Sequence, residues 1–225
     1  MSAPALFDVI GPVMIGPSSS HTAGVARICF LARKAFGERP GKARVTFHGS
    51  LAATWRGHGS DKAALAGLLG FHPEDERLSF ARELAAREGL VVEFVEDRSV
   101  VAGVHPNTLR VELEGGGRKL SITGCSIGGG AVRVENVNGF PASISGELDA
   151  VLVRHRDRPG VIAGVTGVLA EAGVNIATAA SRRNQKGDEA LLVVEVDGVP
   201  PGAALAAIRA LPEVLAAVHL PSVVS

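Results

Sequence analysis

Apolar residues recur at helical spacing directly after a polar segment near the start of the chain. Val25, Ile28 and Cys29 fall on one face, and Gly37 follows as a helix stop signal. The spacing therefore predicts a helix that begins close to Val25. The polar residues 18–22 should lie at the N-terminus of this helix.

The last third of the chain alternates regularly between strand and helix patterns. Strand patterns cover residues 148–154, 174–180, 189–196 and 214–220, and helix patterns cover 161–171 and the stretch that Pro201 opens. Their order, βαββαβ, is that of a ferredoxin-like unit. Turn and breaker residues are dense in 138–146, so we expect two domains, residues 1–140 and 147–225.

The first domain mixes strand and helix patterns without strict alternation. Strand patterns cover residues 44–51, 90–96, 108–114, 118–125 and 132–137. Helix patterns cover 61–69, with Ser60 as its cap, and 73–88. Because the two element types do not form a βαβ series, the sequence predicts an α+β fold class.

Charge and composition exclude several classes of function. The chain has 225 residues and balances 23 basic against 23 acidic side chains, with no basic stripe, so no nucleic-acid partner is expected. No apolar run is long enough for a membrane span, and the first residues lack the pattern of a signal peptide. The two cysteines, Cys29 and Cys125, are far apart in sequence, which favours the reducing cytoplasm and predicts no metal site in this chain alone.

The polar segment before the first helix is the strongest candidate for chemistry. It contains the consecutive residues Ser18, Ser19, Ser20, His21 and Thr22. Free N–H groups and the helix dipole favour a carboxylate or phosphate at such a position, and an imidazole could move its protons. The alternative is an ordinary N-cap, in which one serine caps the helix and the others are solvated.

Three further polar clusters lie in the first domain. His48 and Ser50 share one side of the predicted strand 44–51, and His58 follows in a glycine-flanked loop, where it is either functional or simply solvated. The third cluster is 105–108, which contains Asn107. The fourth is the glycine-rich run 125–130, which either offers N–H groups to an anion or forms a corner between two strands.

The second domain offers one candidate binding site for an amino-acid effector. Its first strand leads through a loop to a helix N-terminus, and Asn175 would lie close to that loop if the first two strands were adjacent. The candidate residues are His155, Asp157, Gly160, Val161, Asn175 and Ile176. The alternative is that Asp157 only caps the helix and Asn175 only turns the chain.

Several motifs in one order resemble a known family. The segments 16–24, 48–54, 57–61, 105–108 and 126–130 closely resemble the β subunit of bacterial iron–sulfur-dependent L-serine dehydratase. The segments 155–160 and 173–176 resemble an ACT domain, especially the serine-binding one of phosphoglycerate dehydrogenase. The resemblance implies an N-terminal domain of the allosteric substrate-binding type, followed by a ferredoxin-like ACT domain.

The resemblance also implies a reaction and partners. The family converts L-serine to pyruvate and ammonia, and one iron of a [4Fe–4S] cluster is thought to bind the serine hydroxyl. The α subunit is expected to ligate this cluster, since two distant cysteines cannot supply its thiolates. Because an imidazole titrates near the working pH, we expect His21 and His58 to be the catalytic residues. The expected substrate-binding residues are Ser18, Ser19, Ser20, Thr22, Ser50 and Asn107.

The ACT resemblance leaves two interpretations of the whole chain. In the first, the chain completes an active site against the α subunit, and its ACT domains pair with one another and sense an amino acid, with L-serine the first candidate. In the alternative, the chain is a non-catalytic regulatory subunit that senses amino acids.

Overall fold

A computed structural model describes residues 14–99 and 103–224 of the chain. The N-terminal stretch, for which the sequence predicts no signal peptide, lies outside the described residues. The chain divides into two compact units between Asn138 and Gly139.

Unit 1 is a mixed sheet that carries helices on one face. Its strands are β1 (Lys42–His48), β2 (Val91–Asp97), β3 (Thr108–Gly115), β4 (Arg118–Gly128) and β5 (Ala131–Val137), in the order β2-β1-β3-β4-β5. Its α-helices are α1 (Gly24–Phe36), α2 (Gly49–Thr54), α3 (Ser60–Leu69) and α4 (Ala81–Arg87). The β1–β2 pair is parallel, and β1–β3, β3–β4 and β4–β5 are antiparallel.

The core of unit 1 lies between this sheet and helix α1. Alternate strand residues such as Val45, Phe47, Leu109 and Val111 are fully buried, which is the period-2 pattern of a sheet with one covered face. Helix α1 packs on β3, β4 and β5 and also on α3. This packing fixes the N-terminal end of α1, where the first polar cluster lies.

The predicted strand 44–51 is wrong at its end. Strand β1 stops at His48, and Gly49 turns the chain into helix α2 with a φ of 53°. A Cβ at position 49 would lie 2.7 Å from the carbonyl oxygen of Pro106, so only glycine fits this close approach. Ser50 is therefore a helical residue and does not share a strand face with His48.

Two other element predictions need correction. The predicted helix 73–88 is a 3₁₀ turn (Glu76–Phe80) followed by the shorter α4. Ser60 does not cap α3, because its hydroxyl donates a hydrogen bond to the carbonyl of His21 instead. The segment 138–146, where the sequence predicts a break between domains, contains the short strand β6 (Phe140–Ile144).

Unit 2 confirms the predicted βαββαβ order after β6. Its elements are β7 (Asp149–Arg156), α5 (Val161–Glu171), β8 (Ile176–Arg183), β9 (Glu189–Val196), α6 (Gly202–Ala210) and β10 (Val214–Leu220). The four strands β7–β10 form an antiparallel sheet in the order β10-β7-β9-β8. Val153, Val165, Leu192 and Ile208 are among the buried residues of its core. Across the described ranges, no helix is both long and apolar enough to cross a membrane.

Candidate functional site

The first polar cluster lies at a helix N-terminus, as predicted. Residues Ser19–Ala23 form a π-helical turn that runs directly into α1 at Gly24. Ser18 is the N-cap, and its Oγ accepts a hydrogen bond of 3.1 Å from the backbone N–H of His21. One serine, Ser18, therefore does cap the helix. His21 and Thr22 follow as consecutive residues of the π-helical turn.

Two histidines from separate segments meet beside this turn. The rings of His21 and His58 stack with their centroids 4.8 Å apart and an interplanar angle of 25°. His21 Nδ1 lies 3.2 Å from Ser18 Oγ, and His21 Nε2 lies 3.2 Å from Ser50 Oγ. The structure thus brings together residues from the first two polar clusters.

The proton position on neutral His58 follows from its neighbour. His58 Nδ1 lies 3.2 Å from the carbonyl oxygen of Thr54, and the His58 backbone N–H donates to the same oxygen. A carbonyl oxygen only accepts hydrogen bonds, so Nδ1 carries the hydrogen. Nε2 of neutral His58 then holds the lone pair and is the atom able to take a proton.

The loop that carries His58 is anchored by the two residues before Gly57. Trp55 is buried against Phe47 and Phe94, and its indole N–H donates 2.9 Å to Glu96. Arg56 stacks 4.3 Å above the Trp55 ring and pairs with Glu96. The Trp55 hydrogen bond first, and the Arg56 one next, lower the pKa of Glu96 to about 2.

Hydrogen bonds also join the His58 loop to the π-helical turn. Thr22 Oγ1 donates 3.0 Å to the His58 carbonyl, and Ser60 Oγ donates 2.7 Å to the His21 carbonyl. Ser60 is a site residue that the sequence analysis assigned to helix capping. Ser60 is fully buried in the structure, and the sequence gives no sign of this beyond its place in the glycine-rich motif 57–61.

Burial and the neighbouring imidazole keep His21 neutral. Desolvation, and then the charge of His58, lower the pKa of His21 below its ordinary value of 6.5. A neutral imidazole has one lone pair on its ring, so near pH 7 His21 can accept a proton.

The remaining predicted substrate residues fall around His21. Ser50 Oγ donates 2.6 Å to Asn107 Oδ1, and the backbone N–H of Asn107 donates 3.1 Å to His105 Nδ1. The hydroxyls of Ser19 and Ser20 are half-buried and make no hydrogen bond within the part of the chain that the structure describes.

Two cavities are lined by different predicted histidines, and His21 lines neither of them. A cavity of about 350 Å³ is lined by Thr22 and His58, together with Arg56, Lys62 and Arg82. A second, of about 410 Å³, is lined by His48 and His105 among others. The second cluster is therefore split, since His48 faces a different cavity from His58.

The glycine-rich run 125–130 is a corner between β4 and β5. The guanidinium of Arg27 donates 2.7 Å to the carbonyl of Gly130, and the Arg27 side chain is buried. Desolvation lowers its pKa. Sequence reasoning missed Arg27, because it lies within an otherwise apolar helical segment.

Neither cysteine is suited to an iron–sulfur cluster. Cys29 and Cys125 are both buried, and desolvation raises the pKa of both thiols, that of Cys125 to about 11. Cluster ligands must be thiolates. Within residues 14–99 and 103–224, no group of three or more His, Cys, Asp or Glu side chains could hold a metal ion. The residues of this chain therefore do not fit such a cluster.

Two of the predicted effector residues in unit 2 are engaged in local contacts. The Asp157 carboxylate accepts 2.9 Å from the Gly187 N–H and 2.7 Å from Arg183, and these bonds, in that order, lower its pKa. It ties the β8–β9 turn to the loop after β7 and does not cap α5. The Asn175 amide donates 2.7 Å to Asp197.

The condition that would bring Asn175 close to the loop is not met. Strand β9 lies between β7 and β8, so the first two strands of the βαββαβ unit are not adjacent. Asp149 and Ile176 both pair with Val196, whereas His155 pairs with Ala190 near the other end of β9. At about 3.3 Å per residue, Asn175 therefore lies about 20 Å along the sheet from the loop 155–160 of its own copy.

The other effector candidates lie at the start of α5 and β8. His155 is buried, and its Nδ1 donates 2.8 Å to the Arg156 carbonyl. Gly160 is the N-cap of α5 in a left-handed conformation, and Val161 is buried behind it. Ile176 begins β8 and is half-buried.

Comparison with known proteins matches both units. Residues 5–137 match the family described as serine dehydratase beta chain, and residues 150–213 match the ACT domain. The chain is 46% identical over 194 residues to a probable L-serine dehydratase, beta chain, of Bacillus subtilis, covering 86% of this chain and 87% of the relative. It is 35% identical over 192 residues to the L-serine dehydratase, beta chain, of Peptoniphilus asaccharolyticus, covering 85% and 86%. A D-3-phosphoglycerate dehydrogenase of Methanocaldococcus jannaschii is 30% identical over 108 residues, which are 48% of this chain and 20% of that enzyme.

Proposed function

The chain belongs to the serine dehydratase β-chain family, and from this membership we propose that it is the β subunit of a heteromeric L-serine dehydratase of the cytoplasm. Residues 1–140 complete the active site against an α subunit, and residues 147–225 sense an amino acid. The reaction converts L-serine to pyruvate and ammonia.

One observation carries the catalytic part of this proposal. His21 and His58 stack beside a cluster of hydroxyls, and the neutral form of His58 has its lone pair on Nε2. Deamination of L-serine removes the Cα proton and expels the hydroxyl group, giving an aminoacrylate that tautomerises and is hydrolysed to pyruvate and ammonia. The first step needs a base and the second is assisted by an acid. The imidazole that takes the Cα proton becomes an imidazolium, which can then give that proton to the leaving hydroxyl group as water forms.

The hydroxyls around the two rings suit the rest of the substrate. Ser18, Ser19, Ser20 and Thr22 lie at the N-terminal end of α1, where the helix dipole favours the carboxylate of an amino acid. Among the described residues the hydroxyls of Ser19 and Ser20 have no hydrogen-bond partner, which suits them to bind this carboxylate. In this arrangement the hydroxyls of residues 18–22 hold the substrate carboxylate, and the rings of His21 and His58 face the reacting carbon atoms.

The α subunit, rather than this chain, is proposed to hold the [4Fe–4S] cluster. Anaerobic reconstitution of the isolated chain with iron and sulfide should give far less than the ~4 iron atoms per chain of a full cluster, and no serine consumption. Adding the α subunit should restore turnover. A stable form of this chain that alone holds such a cluster and consumes serine would contradict the proposal.

The ACT domain is proposed to bind its effector between two copies. The loop 155–160 and Asn175 lie at opposite ends of one sheet, so a second copy in antiparallel orientation could place its own Asn175 beside the loop. A zwitterion would then lay its carboxylate on the N–H groups at the start of α5 and its ammonium toward Asp157 or Asn175. L-serine is the first candidate.

Calorimetric titration of the full chain with L-serine tests this effector site. Asn175→Ala should weaken binding by about tenfold or more, as expected for the loss of a hydrogen bond to a charged group. His58→Ala, which changes the other unit, should leave this binding event intact. Dimerisation is measured alongside by sedimentation. A folded dimer that shows no binding in millimolar serine would contradict the sensor, and unchanged affinity in Asn175→Ala would move its site elsewhere.

A further inference from the structure

Four polar side chains of unit 1 form one continuous line of hydrogen bonds. Ser18 Oγ lies 3.2 Å from His21 Nδ1, His21 Nε2 lies 3.2 Å from Ser50 Oγ, and Ser50 Oγ lies 2.6 Å from Asn107 Oδ1. The members come from the π-helical turn, from α2 and from the loop before β3. The sequence motifs give no indication that these four residues act as a unit.

The direction of each bond follows from the Asn107 end. The amide oxygen of Asn107 has no hydrogen, so the Ser50 hydroxyl must donate to it. A hydroxyl has a single hydrogen, and Ser50 can therefore only accept from His21 Nε2. Nε2 of His21 must carry a hydrogen, and in the neutral ring the lone pair lies on Nδ1, toward the hydroxyl of Ser18.

We infer that Ser50 and Asn107 are positioning residues, which hold neutral His21 in its Nε2–H form and direct its basic Nδ1 toward Ser18. The role in turnover rests on the proposed function, whereas the proton position is a property of the chain itself. His21 then accepts a proton at Nδ1, either from the substrate directly or through the Ser18 hydroxyl. The resulting imidazolium keeps its Nε2–H bond to Ser50.

The surroundings hold Asn107 and Ser50 in place for this task. The Asn107 backbone N–H donates to His105 Nδ1, and its carbonyl accepts 3.0 Å from the backbone N–H of Ser126. The Ser50 backbone N–H donates 2.8 Å to the Pro106 carbonyl. Both side chains are thus fixed through their main chains, which leaves their polar ends free to orient the ring of His21.

Nitrogen NMR of the full chain, labelled with ¹⁵N-histidine, reads the proton position directly. At a pH where His21 is neutral, the wild-type ring should be a single Nε2–H tautomer with widely separated nitrogen shifts. In Asn107→Ala the Ser50 hydroxyl is free to donate to Nε2, so the two shifts should move toward each other. Asn107→Asp keeps an acceptor oxygen and should keep the wild-type tautomer. Asn184→Ala, in an exposed turn of unit 2, is the matched control and should change nothing.

The result that overturns the inference is equally direct. A wild-type Nδ1–H signal, or identical His21 shifts in Asn107→Ala and wild type, would show that Asn107 does not set the proton position. Neither result depends on catalysis, so both remain separate from a failure of the proposed function.

Kinetics of the complex with the α subunit test the positioning role. Asn107→Ala should lower kcat about tenfold, a part of the factor that a well-placed general base supplies, with a smaller effect on KM. Asn107→Asp should recover most of that loss. An altered tautomer with unchanged kcat would contradict the positioning role, and the effect of replacing His21 itself decides separately whether that histidine acts in turnover.

Discussion

Replacing His21 by alanine should lower the kcat of the complex with the α subunit by roughly 100-fold or more, the usual contribution of a general acid or base. The reason is that His21 is a neutral imidazole with polar partners on both ring nitrogens, stacked on a second histidine. Steady-state kinetics measure the effect, and gel filtration checks that the complex remains assembled.

His72, which belongs to unit 1 but lies outside the group formed by His21 and His58, provides the control for His21→Ala. His72 packs its ring on Phe30, 4.3 Å between centroids, and His72→Ala should leave kcat nearly unchanged. If His21→Ala raised only KM, His21 would be a binding residue and not an acid or base. If neither kcat nor KM changed, the result would favour the alternative interpretation, in which the chain is a non-catalytic regulatory subunit.

The pH dependence of kcat in the wild-type complex is a second test of the role of His21. A base must be neutral to accept a proton, and burial lowers the pKa of His21 below 6.5. Activity should therefore persist at pH 6.5, where an ordinary histidine is half protonated, and the acid limb that His21 causes should lie below that pH. An acid limb assigned to His21 well above pH 6.5 would contradict its lowered pKa.

Gly67→Ala should destabilise the chain by roughly 2 kcal/mol or more, against the usual helix preference for alanine. A Cβ at position 67 of α3 would lie 2.2 Å from the carbonyl oxygen of Ala26 and 2.8 Å from both Cys29 Cβ and the Phe30 backbone nitrogen. Overpacking of this kind typically costs 1–3 kcal/mol or more, and here backbone atoms are in the way, so α1 and α3 must separate. The gain of about 1 kcal/mol in helix propensity is smaller.

The same substitution in a roomier helix is the control for Gly67→Ala. Gly167 lies in α5, and no atom of the described residues beyond its chain neighbours and its own helix backbone lies within 4 Å of a Cβ placed there. Gly167→Ala should therefore stabilise the chain by roughly 0.5–1 kcal/mol. Urea unfolding of both variants measures the pair, and equal stability changes would show that the close contact of α1 and α3 is not what requires glycine at position 67.

Local periodicity was sufficient where elements follow their own pattern. In unit 2 the predicted helix 161–171 and strands 189–196 and 214–220 match the observed bounds. Each of these segments is bounded by turn or breaker residues and carries either a helical period or a short apolar run, so no distant contact is needed to define its ends.

The sequence was insufficient where a distant contact determines local structure. Ser50 continues an apparent strand pattern, but the close approach of Gly49 to Pro106 turns it into a helix. Ser60 has the position of a helix cap, but the carbonyl of His21 competes for its hydroxyl. These two changes build the candidate site, since one brings Ser50 to His21 and the other fixes the turn that carries it.

The motifs indicate which residues are functional candidates, but they do not indicate how the side chains of these residues interact. His21, Ser50, His58 and Asn107 do lie together, although they come from four separate segments. Their hydrogen-bond order depends on side-chain directions that no spacing rule contains. For the same reason the separation of Asn175 from the loop 155–160 follows from strand order and not from the motifs.

The central claim is that residues 18–22, which lie at the N-terminal end of α1, and His58 form part of a serine dehydratase active site. A structure of the α–β complex with bound L-serine tests it most directly. The account predicts that the serine in the reactive site has a polar or Cα atom within about 3.5 Å of this turn or of the His21 and His58 rings. Serine held wholly by the α subunit, with the turn and both rings more than about 10 Å away, would contradict it.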